Sequence, residues 1–171
     1  IMNISSLIEE TTEYDKKQAV EVKKPKSWCK SISAFANGRG GKLIFGIADD
    51  DTVVGLENAE KAAEIISEQI KIHLNPIPEF TLSFQNENDK TLIIVEVFSG
   101  EQTPYYYSGD GMLTAFIRIG NQSVQATSQQ LSELVLKGSN STYDSLLSKY
   151  SFDNMAFTKL KSVFYQQTGH S

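Results

Sequence analysis

Cysteine and histidine are scarce in this sequence of 171 residues. The single cysteine, Cys29, excludes a disulfide within the chain and suits a reducing compartment such as the cytoplasm. Two histidines, His73 and His170, are too few for a zinc site of the usual kind. There is no run of about 18 apolar residues, and the first residues lack the basic start and apolar stretch of a secretion signal. These absences predict a cytoplasmic protein with no metal, no cofactor and no membrane span.

The charged residues are unevenly placed along the chain. The net charge is −5, yet residues 16–42, here called the basic segment, contain eight lysines or arginines and one acid, Glu21. The basic segment therefore carries +7 and the rest of the chain −12. Local potential, rather than total charge, decides where an anion docks. The segment is either a solvated lysine-rich face or a docking surface for a polyanion.

Hydrophobic periodicity predicts an α+β domain in which helices pack on a mixed or antiparallel sheet. Trp28 and Phe35 recur at helical spacing and are expected in the core. Ser27 is expected to cap the first helix, and Thr127 to open a capping box with Gln130. The predicted strands are residues 19–23, 42–47, 53–56, 80–84, 92–97 and 115–119. The predicted helices are residues 27–37, 57–73, 127–138 and 154–168.

The end of the chain differs in composition from the rest. Gly138 is expected to end the third helix, and residues 139–152 are rich in Ser, Asn and Tyr, which is typical of a connecting segment. We therefore predict a domain over residues 1–138. Residues 139–171 are predicted to be a linker and a C-terminal helix that lead to a further region.

Several short motifs follow one another in an order that resembles the AlbA-like domain of the Schlafen group, over about residues 13–136. They are Glu21-Val22-Lys23 in a strand, Ala34-Phe35-Ala36-Asn37 at a helix end, the turn at residues 38–41, Gly46-Ile47, Asp49-Asp50, Pro104-Tyr105 and Arg118-Ile119-Gly120. The resemblance implies an α+β fold that is often described as DNA-binding and that occurs in bacterial predicted transcriptional regulators. An older description of the group as divergent AAA-type ATPases gains little support, because residues 38–42 lack the Walker order.

The basic segment is the first candidate site, and nucleic acid, above all DNA, is the expected partner. Lysines engage phosphates as point charges, arginine makes forked contacts, and glycine turns bring backbone N–H groups close to an anion. Alternatively, the glycines only end a helix and Arg118 pairs with a carboxylate. The candidate residues are Lys23, Lys24, Lys26, Arg39, Lys42 and Arg118, with Gly38, Gly40 and Gly41 as the phosphate turn.

A metal-dependent RNA endonuclease is the second hypothesis, and it rests on the resemblance, since vertebrate Schlafens cut RNA with three carboxylates. Glu21 matches the strand glutamate of that set and Asp49 the aspartate of the later turn. The first glutamate of the set lies five positions before the strand glutamate, where this sequence has Lys16. Asp15 or Glu13 can replace it only in a shifted register. Mg²⁺ or Mn²⁺ would be needed only for this activity.

A protein-interaction or assembly module that can form a homo-oligomer is the third hypothesis. The acidic remainder of the chain and the apolar face of the last predicted helix motivate it. Of the three tyrosines Tyr105, Tyr106 and Tyr107, either some stack on bases or one is buried and two are exposed on a strand. Cys29 is expected to be a buried thiol, and His73 a structural residue at a helix end.

Overall fold

The computed structural model describes residues 13–150, so the predicted helix at residues 154–168 lies outside the described residues. The described part has three helices and two four-stranded sheets, which confirms the predicted α+β class. The helices are α1 (Lys26–Asn37), α2 (Ala59–His73) and α3 (Ser128–Tyr150). The strands are β1 (Tyr14–Lys17), β2 (Gly41–Phe45), β3 (Leu74–Asn75), β4 (Phe80–Glu87), β5 (Lys90–Val97), β6 (Tyr106–Gly109), β7 (Met112–Ile119) and β8 (Gln122–Gln125).

The two sheets differ in the direction of their strands. The first has the order β1-β2-β5-β4, and the second has the order β3-β6-β7-β8. β1 runs parallel to β2, whereas the other strand pairs of the described residues are antiparallel. The first sheet is therefore mixed and the second antiparallel, in agreement with the predicted sheet type.

Helix α1 forms the centre of the core between the two sheets. It contacts β2 and β5 of the first sheet and β6, β7 and β8 of the second. Trp28 and Phe35 are buried there, as predicted, and so is Cys29. Burial raises the pKa of the Cys29 thiol far above its ordinary value, because an apolar surrounding disfavours the thiolate. The thiol is therefore a core group in its neutral form.

Two polar side chains of α1 join the helix to the second sheet. The Asn37 amide donates to the backbone oxygens of Tyr105 (3.0 Å) and Phe116 (2.9 Å), and its oxygen accepts from the Tyr105 N–H (2.6 Å). The Ser33 hydroxyl donates to Tyr105 O (2.7 Å) and accepts from Phe116 N–H (3.1 Å). Buried polar groups need such partners, because an unmade hydrogen bond costs about 1–3 kcal/mol. The asparagine that closes the Ala-Phe-Ala-Asn motif thus fixes how α1 packs.

The prediction of the first strand was wrong. Residues 19–23 form no strand, and the strand that pairs in parallel with β2 is β1, earlier in the chain. Glu21 lies in a turn instead, and its backbone oxygen accepts hydrogen bonds from Lys24 N–H and the Trp28 indole. The Ser27 cap was also wrong, because Pro25 occupies the cap position. The Ser27 hydroxyl is buried without a hydrogen-bond partner among the described residues.

The third helix begins as predicted but ends later. Thr127 N–H donates to the Gln130 side chain (2.9 Å), and Gln130 N–H donates to the Thr127 hydroxyl (3.2 Å), which confirms the capping box. Gly138 does not end the helix, and residues 139–150 are helical rather than a connecting segment. A Cβ atom at Gly138 would overlap the carbonyl oxygen of Thr103. Glycine at this position therefore allows the helix to pack closely against the backbone of Thr103.

The second sheet contains three strands, β3, β6 and β8, that were not predicted. The predicted strand at residues 53–56 is reduced to one bridge between Ile47 and Val53. Tyr105 and Tyr107 are both buried and Tyr106 is half-buried, so the expectation of one buried and two exposed tyrosines was wrong. Alternation along β6 directs both buried rings to the same side of the strand, toward α1.

Candidate functional site

An open pocket of about 580 Å³ lies beside the start of α1, and we call it the lysine pocket. The loop before α1 and the first turns of the helix supply its basic residues, while α2, the β6–β7 hairpin, β7 and β8 supply the others. Three of the predicted phosphate-binding lysines thus meet at one place. The lining residues are Lys23, Lys24, Pro25, Lys26, Ser27, Lys30, His73, Tyr107, Gly109, Asp110, Phe116 and Ser123.

The four lysines of this pocket are not neutralised by the part of the chain that the structure describes. None of Lys23, Lys24, Lys26 and Lys30 lies in an ion pair with a described residue. The first turn of α1 also carries no acid. The Lys26 ammonium lies 5.9 Å from the centre of the Phe116 ring, within the range of a cation–π contact. The pocket therefore presents a positive potential to solvent.

The opposite side of the lysine pocket is aromatic and contains one acid. The His73 ring stacks on Tyr107, with 5.4 Å between ring centres, and its Nδ1 lies 2.8 Å from the Ser108 carbonyl oxygen. Because a carbonyl only accepts, Nδ1 carries a proton. His73 lies at the end of α2, as expected, and its ring is held by these contacts. Asp110 is the one carboxylate among the described lining residues.

The remaining predicted phosphate ligands lie apart from the lysine pocket. Arg39, Arg118, Gly38 and Gly40 line a second pocket of about 460 Å³, together with Glu13, and we call it the arginine pocket. Lys42 and Gly41 line neither of these two pockets. Lys42 lies in β2 opposite Tyr14 and Glu96, and Gly41 faces the ring of Phe35. The predicted docking residues therefore lie in three places: the lysine pocket, the arginine pocket, and strand β2 outside both.

Arg118 is almost fully buried and has several protein partners, although its Nε donates no hydrogen bond to a described residue. Its side chain is only 6% exposed, and it donates to Tyr14 O and to the Ser123 hydroxyl, each at 2.8 Å. The carboxylates of Glu13 and Asp15 lie 3.8 and 3.7 Å from guanidinium nitrogens. These bonds link β7 and β8 of the second sheet to β1 of the first. The alternative interpretation of Arg118, pairing with carboxylates, is therefore the one that the geometry favours.

The backbone groups of the glycine turn are used within the fold. The N–H groups of Gly38 and Gly40 both donate to Phe35 O, at 3.1 and 2.9 Å. Gly40 has a φ of +81°, and a Cβ there would lie 2.6 Å from the Val97 carbonyl oxygen. Only glycine fits this position. The turn therefore closes α1 and packs on β5, whereas the Arg39 side chain extends into solvent.

The two proposed nuclease residues, Glu21 and Asp49, lie in different loops of the structure. Glu21 is exposed in the turn before α1, and Asp49 is exposed beyond β2. The Lys16 ammonium bonds to the Asp49 carbonyl (2.7 Å) and to the Asp51 carboxylate. That carboxylate raises the Lys16 pKa. Within residues 13–150, no group of three or more His, Cys, Asp or Glu side chains could hold a metal ion.

Because β1 lies earlier in the chain than the predicted strand, the acid inside the strand is not Glu21. The acid inside this strand is Asp15, whose carboxylate accepts from the Ser31 hydroxyl at 2.6 Å. From the sequence, Asp15 was considered only as a replacement for the first glutamate of the set, whereas in the structure it is the acid inside the strand. Glu10 lies five positions before Asp15, outside the described residues.

None of the helices within residues 13–150 has the length and apolar character needed to cross a lipid bilayer.

Solved structures with a similar fold include the following two. One is the N-terminal domain of a RecG-related protein from Nitrosomonas europaea, solved by solution NMR, with 24% identity and a TM-score of 0.51. That match covers 74% of this chain and 95% of the other. The other is the DIP2311 protein from Corynebacterium diphtheriae, with 14% identity and a TM-score of 0.52. It covers 74% of this chain but only 26% of DIP2311.

No curated protein matches this chain significantly. A family described as Schlafen, AlbA_2 matches residues 10–127, which is well over half of the chain. That span contains β1 through β8, both pockets and the Asn37 contacts to the second sheet. The resemblance seen in the motifs is thereby confirmed, and the chain belongs to the Schlafen AlbA_2 family.

Proposed function

We propose that this chain is a nucleic-acid-binding module that docks strand phosphates in the lysine pocket, with DNA as its ligand. The observation that carries the proposal is the convergence of four lysines, unpaired among the described residues, on one concave pocket. Such a cluster is unusual in a chain whose net charge is −5. A lysine ammonium that has no partner within the protein attracts an anion from solution.

The charge distribution supports docking at one place rather than over the whole surface. Lysines that neutralise phosphates release the counterions condensed on the nucleic acid, and this release supplies much of the binding free energy. The acidic remainder of the chain repels a polyanion elsewhere. A strand would therefore be steered to the lysine pocket.

Two similarities support DNA and a regulatory setting. The resemblance to the Schlafen AlbA-like domain implies a fold that is often described as DNA-binding and that occurs in bacterial predicted transcriptional regulators. The similar domain from Nitrosomonas europaea belongs to a protein named for its relation to RecG, an ATP-dependent DNA helicase. We infer that the chain acts in the bacterial cytoplasm as part of a transcriptional regulator. The division into a domain at residues 1–138 and a C-terminal segment at 139–171 stays a prediction.

The test is fluorescence anisotropy with labelled double-stranded DNA, single-stranded DNA and hairpin RNA, each at low and near-physiological salt. The wild type is compared with a triple variant, Lys23→Gln, Lys24→Gln and Lys30→Gln. The matched control, Lys61→Gln, Lys71→Gln and Lys137→Gln, removes the same charge from exposed helix positions outside the pocket.

We expect the wild type to bind DNA more tightly than RNA and to lose affinity steeply as salt rises. The pocket variant should bind about a hundredfold more weakly, at roughly 1 kcal/mol per lysine. The control variant should stay near the wild type. Equal binding by the wild type and the pocket variant would show that the lysine pocket is not the docking site.

A metal-dependent RNA endonuclease remains a second candidate because of the register of β1. Asp15, rather than Glu21, is the acid of the strand, and Glu10 precedes it by the five positions seen in nucleolytic Schlafens. We propose to incubate folded RNA with Mn²⁺ and compare the wild type with Asp15→Asn and Glu21→Gln. Cleavage lost in Asp15→Asn but kept in Glu21→Gln would support it. Cleavage kept in both, or absent in the wild type, would refute it.

A further inference from the structure

The lysine pocket is concave, whereas the backbone of a duplex is convex. A pocket of about 580 Å³ lies within the roughly 300–1,000 Å³ that ordinarily enclose a small ligand. A phosphate row that runs along a smooth duplex meets only the rim of such a pocket. A single nucleotide that leaves its stack can enter it, as unstacked bases do in proteins that bind single strands.

The two sides of the pocket differ in chemistry. Lys23, Lys24 and Lys30 lie on the side formed by α1 and the loop before it. Phe116 and Tyr107 line the other side and are nearly buried, at about 6% exposure each. Lys26 lies over the Phe116 ring, and His73 stacks on Tyr107. A site for phosphates alone needs only the cationic side. A nucleotide needs both, because its phosphate is charged and the faces of its base are apolar.

Asp110 is the one acid among the described lining residues of the lysine pocket. It lies in the turn of the β6–β7 hairpin, where Asp110 and Gly111 have φ values of +54° and +75°. Both positive values are typical of a two-residue Asp-Gly hairpin turn, which sets the backbone at Asp110. A carboxylate repels a phosphate, but it accepts hydrogen bonds from the exocyclic amino group of cytosine. Its position beside the aromatic side therefore suits a base edge.

We propose that the lysine pocket holds one unpaired nucleotide, with its phosphate at the lysines and an amino-bearing base at Asp110 and the aromatic side. This inference rests on the proposed function and names the ligand of the same site. It makes single strands, or duplexes with an extrahelical nucleotide, better ligands than a blunt duplex.

The test uses three single-stranded dodecamers with the same number of phosphates: deoxycytidine, deoxythymidine and an abasic strand. Thymine lacks the exocyclic amino group, and the abasic strand lacks any base. For the wild type we expect about tenfold tighter binding of deoxycytidine than of the abasic strand, with deoxythymidine between them. A blunt duplex of the same length is measured in parallel, and it should bind more weakly than the deoxycytidine strand.

The variant is Asp110→Asn, and its matched control is Asp89→Asn, which makes the same change in the turn of the β4–β5 hairpin. We expect Asp110→Asn to remove the preference for deoxycytidine over deoxythymidine. Asp89→Asn should leave that preference unchanged. Asparagine is tolerated at positive φ, so both variants should fold, which thermal melting checks.

The outcomes separate this inference from the proposed function. Equal binding of all three strands, with affinity still dependent on the pocket lysines, would overturn the nucleotide site and leave phosphate docking intact. An equal rise in affinity for every strand in Asp110→Asn would also overturn it, because Asp110 would then act only by repelling charge. Absence of binding to any strand, even at low salt, would refute the proposed function itself.

Discussion

The lysine pocket and the arginine pocket both contain cations that were predicted to bind phosphates, yet the lysines and Arg118 have different partners. The lysines at positions 23, 24, 26 and 30 have no ion-pair partner among the described residues. Arg118, in contrast, is almost fully buried between carboxylates, a hydroxyl and a backbone carbonyl. The comparison teaches that positive charge in a sequence marks a binding surface only where the fold leaves it unpaired.

The largest expected effect concerns the folding role of Arg118. Arg118→Met removes the bonds to Tyr14 O and Ser123 and leaves the Glu13 and Asp15 carboxylates without their cation. We expect a loss of about 3 kcal/mol in the free energy of unfolding, measured by urea denaturation. Lys23→Met, in the lysine pocket, should change it by less than about 0.5 kcal/mol. Similar losses of unfolding free energy in both variants would contradict the different roles assigned to the two pockets.

A smaller effect concerns binding by single residues of the two pockets. Lys24→Gln should weaken the affinity for single-stranded DNA by roughly fivefold, because one phosphate contact is lost. Arg39→Gln removes the exposed cation of the arginine pocket and should change the affinity by less than about twofold. Titration by anisotropy at one fixed salt concentration measures both. A larger effect for Arg39→Gln would move the docking site to the arginine pocket.

The smallest expected effect concerns Lys16, which belongs to the basic segment but is paired. Lys16→Met should cost about 0.5 kcal/mol of stability at neutral pH, because its partner Asp51 is largely exposed and solvent screens the pair. The pairing raises the Lys16 pKa, so its contribution is fully present below the ordinary lysine pKa of about 10.4. It is lost as the pH rises through the raised pKa of the folded protein.

The measurement is the difference in stability between the wild type and Lys16→Met, followed by denaturant unfolding from neutral to strongly alkaline pH. The difference should shrink toward zero at the alkaline end. A difference that grows with pH would contradict the assigned ion pair.

The sequence predicted those elements whose local signals agree with their packing. Helix α1 has apolar residues at helical spacing, and the capping box of Thr127 and Gln130 forms as predicted. Elements held mainly by distant partners were missed. β1 and β8 are short and polar, and β1 is a strand because it pairs with β2. Gly138 was misassigned because the close approach of Thr103 overrides the tendency of glycine to end a helix.

The candidate site could be predicted only in part for a related reason. Lys23, Lys24 and Lys26 were named because they are close in sequence, and the structure brings them to one pocket. His73, Asp110 and Ser123 were not named as ligands, since they come from α2, the β6–β7 hairpin and β8. Lone residues in distant segments carry no local pattern. Only the packing of the second sheet against α1 brings them beside the lysines.

The most direct test of the central claim is the salt dependence of single-stranded DNA binding by the wild type and by the triple variant Lys23→Gln, Lys24→Gln and Lys30→Gln. The logarithm of the affinity falls linearly with the logarithm of the salt concentration, with a slope of about −0.7 for each neutralised phosphate of a single strand. Removing three contacting lysines should therefore make the slope shallower by about 2. An unchanged slope would contradict phosphate docking in the lysine pocket.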